Sequence, residues 1–600
     1  MNPKYRMHDV VREDRADGAI LLRARGELGP VADRTTDWLE RWADETPDAV
    51  FLAERSGAGW RELSFAQMRQ QARAVAAGLL DMGLNGDTPI LIISGNSVDH
   101  GLLALAAQYV GIPIVPIAEQ YALIPAARTQ IDFVASVVKP GAVFAQDGDA
   151  LADVLARDVF QDVHKLVGSG TGPGQRVLSD LAKTRGDIAG ANALVGPDTV
   201  AKILMTSGST SAPKGVPTTH EMMCVNQAQI AYGLPFLTAR PPVILDWLPW
   251  NHVFGGSHNF NMMLSNGGAL YIDGGKPTPQ LVAKTLENLE LKTGTMAFNV
   301  PLGFAMIRDA LKKDAGLARR YFAELDMLFY AGASLAQDVW TDLENMARDV
   351  RGDMPLFTSS WGLTETAPAH LLQHQPTDRS GVIGVPMPGS EVKLIPDDDM
   401  RCEVRVRGPN VFKGYLNNPE QTAEAFDEEG FFKTGDAMFF VDPQDMNLGL
   451  KFDGRISEEF KLLSGTWVRA AKLRLDVLAA LGDTVADVII TGADKADIGL
   501  FIVPSAGMRA APDITEVDGA LRIPSFEGDL AQRLAAIGGS SSTRIARALI
   551  LSEPLSMADG EITAKGSVNF KKLLKRRADL LNRLYDDTDQ THIRIGKAPQ

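Results

Sequence analysis

The chain has 600 residues, more than one hydrophobic core usually spans, so two or more domains are expected. With 45% hydrophobic and 22% charged residues it has the make-up of an ordinary globular protein, which argues against disorder except at the ends. A formal net charge of −15 argues against nucleic acid as a partner, and two distant cysteines, Cys224 and Cys402, argue against a disulfide framework or a thiolate metal site.

The opening stretch, MNPKYRMHDVVREDRADG, lacks the apolar core of a signal peptide. The longest apolar stretch, residues 101–118, carries polar and proline interruptions, which predicts a helix followed by a buried strand. No membrane insertion is therefore expected, and a cytoplasmic location is. Short apolar runs recur as PILIIS near Ile90, IPIVPI near Ile112, AVFAQ near Val143, VILDWLP near Val243 and MLFYAG near Leu328. Helical patterns such as FAQMRQQARAVAAGLLDMG lie between them, predicting βαβ units in mostly parallel sheets.

After about Gly381 the pattern changes to alternating strands, EVKLI and EVRVRG, which predicts a small β-rich subdomain over 381–454. The expected division is a large N-terminal α/β domain, 1–454, and a smaller α+β C-terminal domain, 455–600. Within the latter, VIITG and GLFIVP read as strands and 504–525 as a Pro-, Gly- and Ala-rich surface excursion.

The strongest local signal is TSGSTSAPKGV, Thr206 to Val216, directly after the apolar run AKILM. Small and hydroxylated residues there let backbone N–H groups approach a polyanion, and Lys214 adds positive charge. By composition alone a flexible Ser/Gly surface loop fits as well. The usual P-loop does not, because Pro213 and Gly215 flank Lys214.

This segment resembles the phosphate loop of the AMP-forming adenylating superfamily, which includes acyl- and aryl-CoA synthetases, luciferases and peptide-synthetase adenylation domains. Further motifs follow in that family's order: WLPWNHVFGG (247–256), YAGASL (330–335), SSWGLTET (359–366), KTGDAMFF around Asp436, FDGRISEEFKLLSGTWV around Arg455, and GEITAKGSVN around Lys565. The resemblance runs from about Asp37 to Tyr585. The variants WGLTETAP, FKLLSGTWVRAAKLR and GEITAKG are most similar to the bacterial feruloyl-CoA synthetase branch.

The resemblance implies the joining of a carboxylic acid to the α-phosphate of ATP, followed by transfer of the acyl group to coenzyme A. Thr206, Ser207, Gly208, Ser209, Thr210 and Lys214 would hold the phosphates, Thr364 would contact phosphate oxygens, and Glu365 would bind Mg2+. Gly332, Ala333 and Ser334 would line the adenine, with Trp361 and Gly362 beside it. Asp436 would accept hydrogen bonds from the ribose hydroxyls, and Arg455 would reach ribose or phosphate oxygens. Lys565 would bridge the acid and the α-phosphate; Ala564 precedes it where many relatives carry Gly. After adenylation the C-terminal domain would rotate about a hinge for which Ser457 and Glu458 compete.

By position, His252 would stand at the mouth between the acyl and thiol channels, and Phe254, His258, Tyr330, Ala333, Gly362 and Leu363 would surround the acyl group. A small pocket closed by Tyr330 would suit a hydroxycinnamate or other aryl acid, whereas a long tunnel would suit a fatty acid. The 35 residues after Lys565 read as a charged helix and tail, so the acceptor is expected from outside the chain. Coenzyme A is the simplest acceptor, a separate carrier protein the alternative, and a nucleotide-binding regulator without turnover a third reading.

Overall fold

The apolar runs form strands and the amphipathic stretches form helices in a computed structural model, which describes residues 4–206, 213–332, 335–397, 399–537, 539–557, 559–562 and 568–596. Helix Phe65–Asp81 shows why: Ser64 accepts from the Gln67 N–H and Gln67 answers with a bond to the Ser64 N–H, a reciprocal cap. Its buried face, including Phe65, Met68, Ala72, Val75, Ala76 and Leu79, recurs at three- and four-residue steps. The apolar stretch 101–118 falls in a wholly buried helix, Val98–Tyr109, and a buried strand, Ile114–Pro116. No helix among the described residues is long and apolar enough to cross a membrane.

The chain divides into two compact units. The first comprises Met1–Thr206, Pro213–Thr434 and Phe439–Phe452; the second centres on Asp453–Gln600 and takes in Gly435–Met438.

The first unit holds a seven-stranded sheet in the order Lys214–Thr219, Val200–Thr206, Ile114–Pro116, Ile90–Ile92, Ala142–Asp147, His164–Ser169, Gln175–Val177. It is parallel except at the first edge, where Lys214–Thr219 runs antiparallel to Val200–Thr206. A four-stranded sheet orders Val243–Asp246, Ala269–Ile272, Val50–Ser56 and Gly59–Ser64. An eleven-stranded sheet begins with parallel strands Met296–Asn299, Met327–Tyr330 and Leu356–Gly362 and continues through Ala369–Leu372 and Val382–Pro386.

The β-rich stretch expected over 381–454 does not form a sheet of its own. Its strands continue the eleven-stranded sheet through Leu450–Arg455, Phe432–Phe440, Cys402–Arg407 and Glu391–Pro396. The far edge is an N-terminal hairpin, Val10–Asp14 with Ile20–Ala24, whose second strand pairs antiparallel with Glu391–Pro396. Sheet membership depends on partners hundreds of residues away, so local alternation does not reveal it.

The second unit folds around strands Val485–Thr491, Ile498–Pro504 and Ile545–Leu551. Helices Ala470–Leu481 and Pro524–Ile537 supply Leu473, Val477, Leu530 and Leu534 to one core. Leu573 and Leu584 join Ile489, Phe501 and Leu549 in another. The expected surface excursion at 504–525 is instead partly core: Met508, Ala520, Leu521 and Ile523 are buried, and the hairpin Thr515–Val517 with Ala520–Arg522 extends the sheet. Its strands are three residues each, too short to show a period.

Candidate active site

The phosphate-loop segment is bracketed by two antiparallel strands, with Thr206 opposite Lys214 in register. Ser207, Gly208, Ser209 and Thr210 lie outside the described residues, as do Ala333, Ser334 and Lys565. The Lys214 Nζ sits 4.6 Å from the centre of the Tyr415 ring. Tyr415 is held there because the Leu416 N–H donates to the Gly215 carbonyl at 2.9 Å, and a Cβ at position 215 would already lie 3.1 Å from Leu416. The Tyr415 hydroxyl in turn donates to Glu365 Oε1 at 3.0 Å. Burial and the Glu365 carboxylate raise the phenol's pKa, so it stays a donor.

One phenol therefore touches both the cation and the carboxylate singled out in the sequence. Tyr415 escaped that reading because GYLNNP looks like ordinary turn sequence. The cation–π contact is worth only about 0.5–1 kcal/mol at a partly exposed site, so it holds the Lys214 ammonium weakly.

Glu365 lies in a single 3-10 turn, Thr364–Thr366, directly after strand Leu356–Gly362. Its carbonyl accepts from the Phe412 N–H at 2.8 Å, and the Thr366 carbonyl accepts from Asn410 Nδ2 at 2.7 Å. The Leu363 N–H donates to Thr366 Oγ1 at 2.8 Å. Thr364 and Leu363 are half-buried in this turn and Trp361 is buried just before it. Gly362 is obligatory there, since a Cβ would fall 1.7 Å from the Pro368 carbonyl. Gly332, at φ +90°, follows strand Met327–Tyr330 in the left-handed region that glycine favours.

Among the described residues no group of three His, Cys, Asp or Glu side chains could cage a metal. A single carboxylate at Glu365 nonetheless fits Mg2+ that arrives with a nucleotide, because that ion takes one or two protein carboxylates plus phosphate oxygens.

Asp436 is buried, and Arg455 Nε stands 3.5 Å from its Oδ1 with the arginine side chain half exposed. A pair with one exposed partner contributes at most about 1 kcal/mol, so it constrains the carboxylate little. The next residues, Ile456–Glu458, form a 3-10 turn. Burial raises the Glu458 pKa against the opposing pull of Arg455 and Arg474. Near Lys565, the flanking Ile562 and Val568 pair across an antiparallel bridge. Glu561, fully buried, is gripped by Arg577 Nε and Nη2 at 2.7 and 2.8 Å.

The acyl-side residues rest on a different structure. After strand Val243–Asp246 the chain turns through 247–253, where Asn96 donates to the Leu248 carbonyl and accepts from the Trp250 N–H, both at 2.9 Å. It then winds into a π-helix, Phe254–Asn259, a wide turn often found at functional sites. Gly255 and Gly256 are required, since Cβ atoms there would lie 2.3 Å from the Leu248 carbonyl and 2.2 Å from that of Trp250. The half-buried His252 accepts the Phe254 N–H on Nδ1 at 3.3 Å, which places the proton of the neutral ring on Nε2.

His258 is buried beside Phe254, with ring centres 5.6 Å apart, and both pack on Phe298 and Phe329. Phe298 and Phe329 are register partners on adjacent parallel strands. Asn259 Nδ2 donates to Asp246 Oδ2 at 2.9 Å, so Asn259 Oδ1 faces His258 Nδ1 at 2.8 Å as an acceptor. His258 must therefore donate from Nδ1, leaving a lone pair on Nε2, which has no hydrogen-bond partner in the structure. Burial pushes the His258 pKa down to about 4, so the ring is neutral near pH 7. Burial likewise pushes Asp246 up to about 7.

Tyr330 does not join this wall. Side chains alternate along a strand, so Phe329 faces Phe254 and His258 while Tyr330 points to the opposite face, against Trp340 and Phe357. Its hydroxyl accepts the Gly381 N–H at 2.9 Å. Phe329 and Phe298, rather than Tyr330, pack with Phe254 and His258, and the two-residue alternation of MLFY and MAFN is the signal for it.

A parallel-sheet unit with a strand-flanked phosphate-loop segment, a pinned acidic turn and an aromatic wall defines a nucleotide-binding α/β enzyme. The chain belongs to the AMP-binding enzyme family, whose pattern matches residues 39–416. It is 28% identical over 425 residues to 4-coumarate–CoA ligase 5 of Oryza sativa subsp. japonica, covering 68% of this chain and 73% of that one. It is 26% identical over 440 residues to luciferin 4-monooxygenase of Nipponoluciola cruciata, covering 69% and 74%. A solved anthranilate CoA ligase in complex with anthranoyl-AMP shares the fold at TM-score 0.70 and 17% identity, covering 93% of this chain and 99% of that one. The o-succinylbenzoate–coenzyme A synthetase of Bacillus subtilis in complex with AMP does so at TM-score 0.67, also at 17% identity, covering 91% and 98%.

Proposed function

We propose that the protein is an AMP-forming acid–coenzyme A ligase acting on a hydroxycinnamate or another aryl carboxylic acid. The observation that supports this reading is the Lys214–Tyr415–Glu365 cluster, a cation and a carboxylate joined by one phenol next to the segment 206–214. In the first step a carboxylate oxygen of the acid bonds to the α-phosphorus of MgATP as the bond to the bridging oxygen breaks and pyrophosphate leaves. Two anions meet in that step, so positive charge aimed at the phosphates is the main requirement. Lys214 would serve the departing phosphates, Glu365 would hold Mg2+, which would supply positive charge to the nucleotide, Thr364 would donate to phosphate oxygen, Asp436 and Arg455 would hold the ribose, and Lys565 would bridge acid and α-phosphate. In the second step the coenzyme A sulfur bonds to the acyl carbon, AMP leaves, and the thiol proton passes to solvent. The C-terminal unit would turn between the steps about Ser457 or Glu458, and His252 would meet the entering thiol.

The aryl preference rests on the wall of Phe254, His258, Phe298 and Phe329. Flat apolar faces suit a ring, and the one lone pair at His258 Nε2 suits a hydroxyl donor on it. A screen of cinnamic, benzoic, arylacetic and fatty acids for pyrophosphate release and thioester formation tests both parts. Thioester from hydroxylated aryl acids is expected. Preference for fatty acids would overturn the aryl assignment, and acyl-AMP that accumulates whatever the coenzyme A level would overturn the ligase.

A further inference from the structure

Three consecutive carbonyls of the π-turn are served by side chains from elsewhere in the chain. Lys202 Nζ donates to the Gly256 carbonyl at 2.6 Å and lies 3.5 Å from Ser257 Oγ. Gln227 Nε2 donates to the carbonyls of Ser257 and His258 at 3.4 and 3.3 Å. Lys202 sits in strand Val200–Thr206, which leads into the phosphate-loop segment, and Gln227 in helix His220–Gly233, which follows the paired strand. Both are buried, Lys202 at 4% exposure and Gln227 at 3%.

An interior lysine is costly, and this one forms no ion pair with a carboxylate among the described residues. The titratable groups exerting charge effects with it are His100 and His220, both pushed down to about 4 by burial and so neutral near pH 7. Burial lowers the Lys202 pKa to about 8, so most of the population carries the ammonium at neutral pH. A hydrophobic residue would fill the site at less cost, so the donated hydrogen bond is what the ammonium contributes.

We infer that Lys202, helped by Gln227, is a positioning residue for acid selectivity: it holds the π-turn in the form that sets Phe254 and His258 into one wall. The inference rests on the acid-activating function proposed above. Without these donors the turn loses the bonds to three carbonyls and relaxes toward an ordinary α-helical register. A one-residue change of register rotates His258 by about 100° around the helix and removes its lone pair from the ring of phenylalanines.

The test uses the full chain with Lys202→Met, which keeps the volume and removes the donor, and Gln227→Met. Amide hydrogen exchange over 254–260 is read first, because it needs no turnover. Exchange there should quicken at least about tenfold in Lys202→Met, the scale of one lost buried hydrogen bond, with less change in Gln227→Met. In acid-dependent pyrophosphate exchange, KM for the acid and the preference for hydroxylated over plain aryl acids should shift by a similar factor while KM for ATP stays within about twofold. Unchanged exchange over 254–260, equal shifts in the acid and ATP parameters, or failure of both variants to fold would overturn the inference. A wild-type protein with no acid-dependent exchange would strike at the proposed function alone, and the amide measurement would still decide the role of Lys202.

Discussion

The Lys214–Tyr415–Glu365 cluster and the Phe254–His258 wall belong to the same compact unit but rest on opposite physics. The cluster is half-buried and charged, and its members touch through one phenol that a ligand can displace or share. The wall is buried and neutral: its histidine is held uncharged by burial, its carboxyl at Asp246 is pushed up to about 7, and its shape comes from packing and a wide helical turn. On the proposed function, charge that would meet a changing anion is kept near water, where reorganisation is cheap, and selectivity for an uncharged ring would come from groups held by packing. Damage to the first should therefore appear in the rate of adenylation and the use of ATP, and damage to the second in the choice of acid.

The largest expected effect tests the charged side. Lys565→Ala should slow adenylation by about 100- to 1,000-fold, the scale of losing one group that stabilises transition-state charge. Thioester formation from supplied acyl-AMP should stay within about threefold, because that step does not use the charge. Rapid-quench measurement of each half-reaction decides, and equal losses in both would remove Lys565 from its role.

Tyr415→Phe should come next, raising KM for MgATP about 10- to 100-fold, as expected for one hydrogen bond to a charged group. An unchanged MgATP titration would show that the phenol organises nothing. On the neutral side, His258→Leu should cut the kcat/KM ratio of hydroxylated over unsubstituted aryl acids about tenfold while leaving MgATP use alone. Loss of MgATP binding instead would break the division between the two regions. The smallest effect is expected from Tyr330→Phe, which removes the acceptor of the Gly381 N–H on the far face of the strand. It should cost about 1 kcal/mol in denaturant unfolding and leave acid preference unchanged; altered preference would return Tyr330 to the acyl wall.

The two regions also differed in how legible they were. Lys214, Glu365, Asp436 and Arg455 stand in short runs whose small and polar residues are unusual, so the runs themselves drew attention. The helix at Phe65 is readable from its period, and the buried strands near Ile90 and Ile112 from their short apolar, β-branched runs. Phe298, Phe329 and Lys202 occupy the middle of strands whose composition is otherwise ordinary, and their meaning depends on which face they present and what packs there. Tyr330 opens the run YAGASL, which points it to the site, whereas alternation along the strand sends it to the other face. The pairing of residues 10–24 with Glu391–Pro396 left no local trace at all.

That pairing has a consequence in time. Arg23 meets Glu391 at 2.6 Å across 368 residues of chain. Synthesis at about 5–20 residues per second leaves an interval of about 20–70 s between the two ends of that contact. Throughout it Ile20, Leu21 and Leu22, buried in the finished molecule, have a strand on the hairpin side only and an open edge where Glu391–Pro396 will pair. A hairpin made well before its partner strand is thus sheltered late, and yield in a cell will depend on what keeps it from finding another partner first.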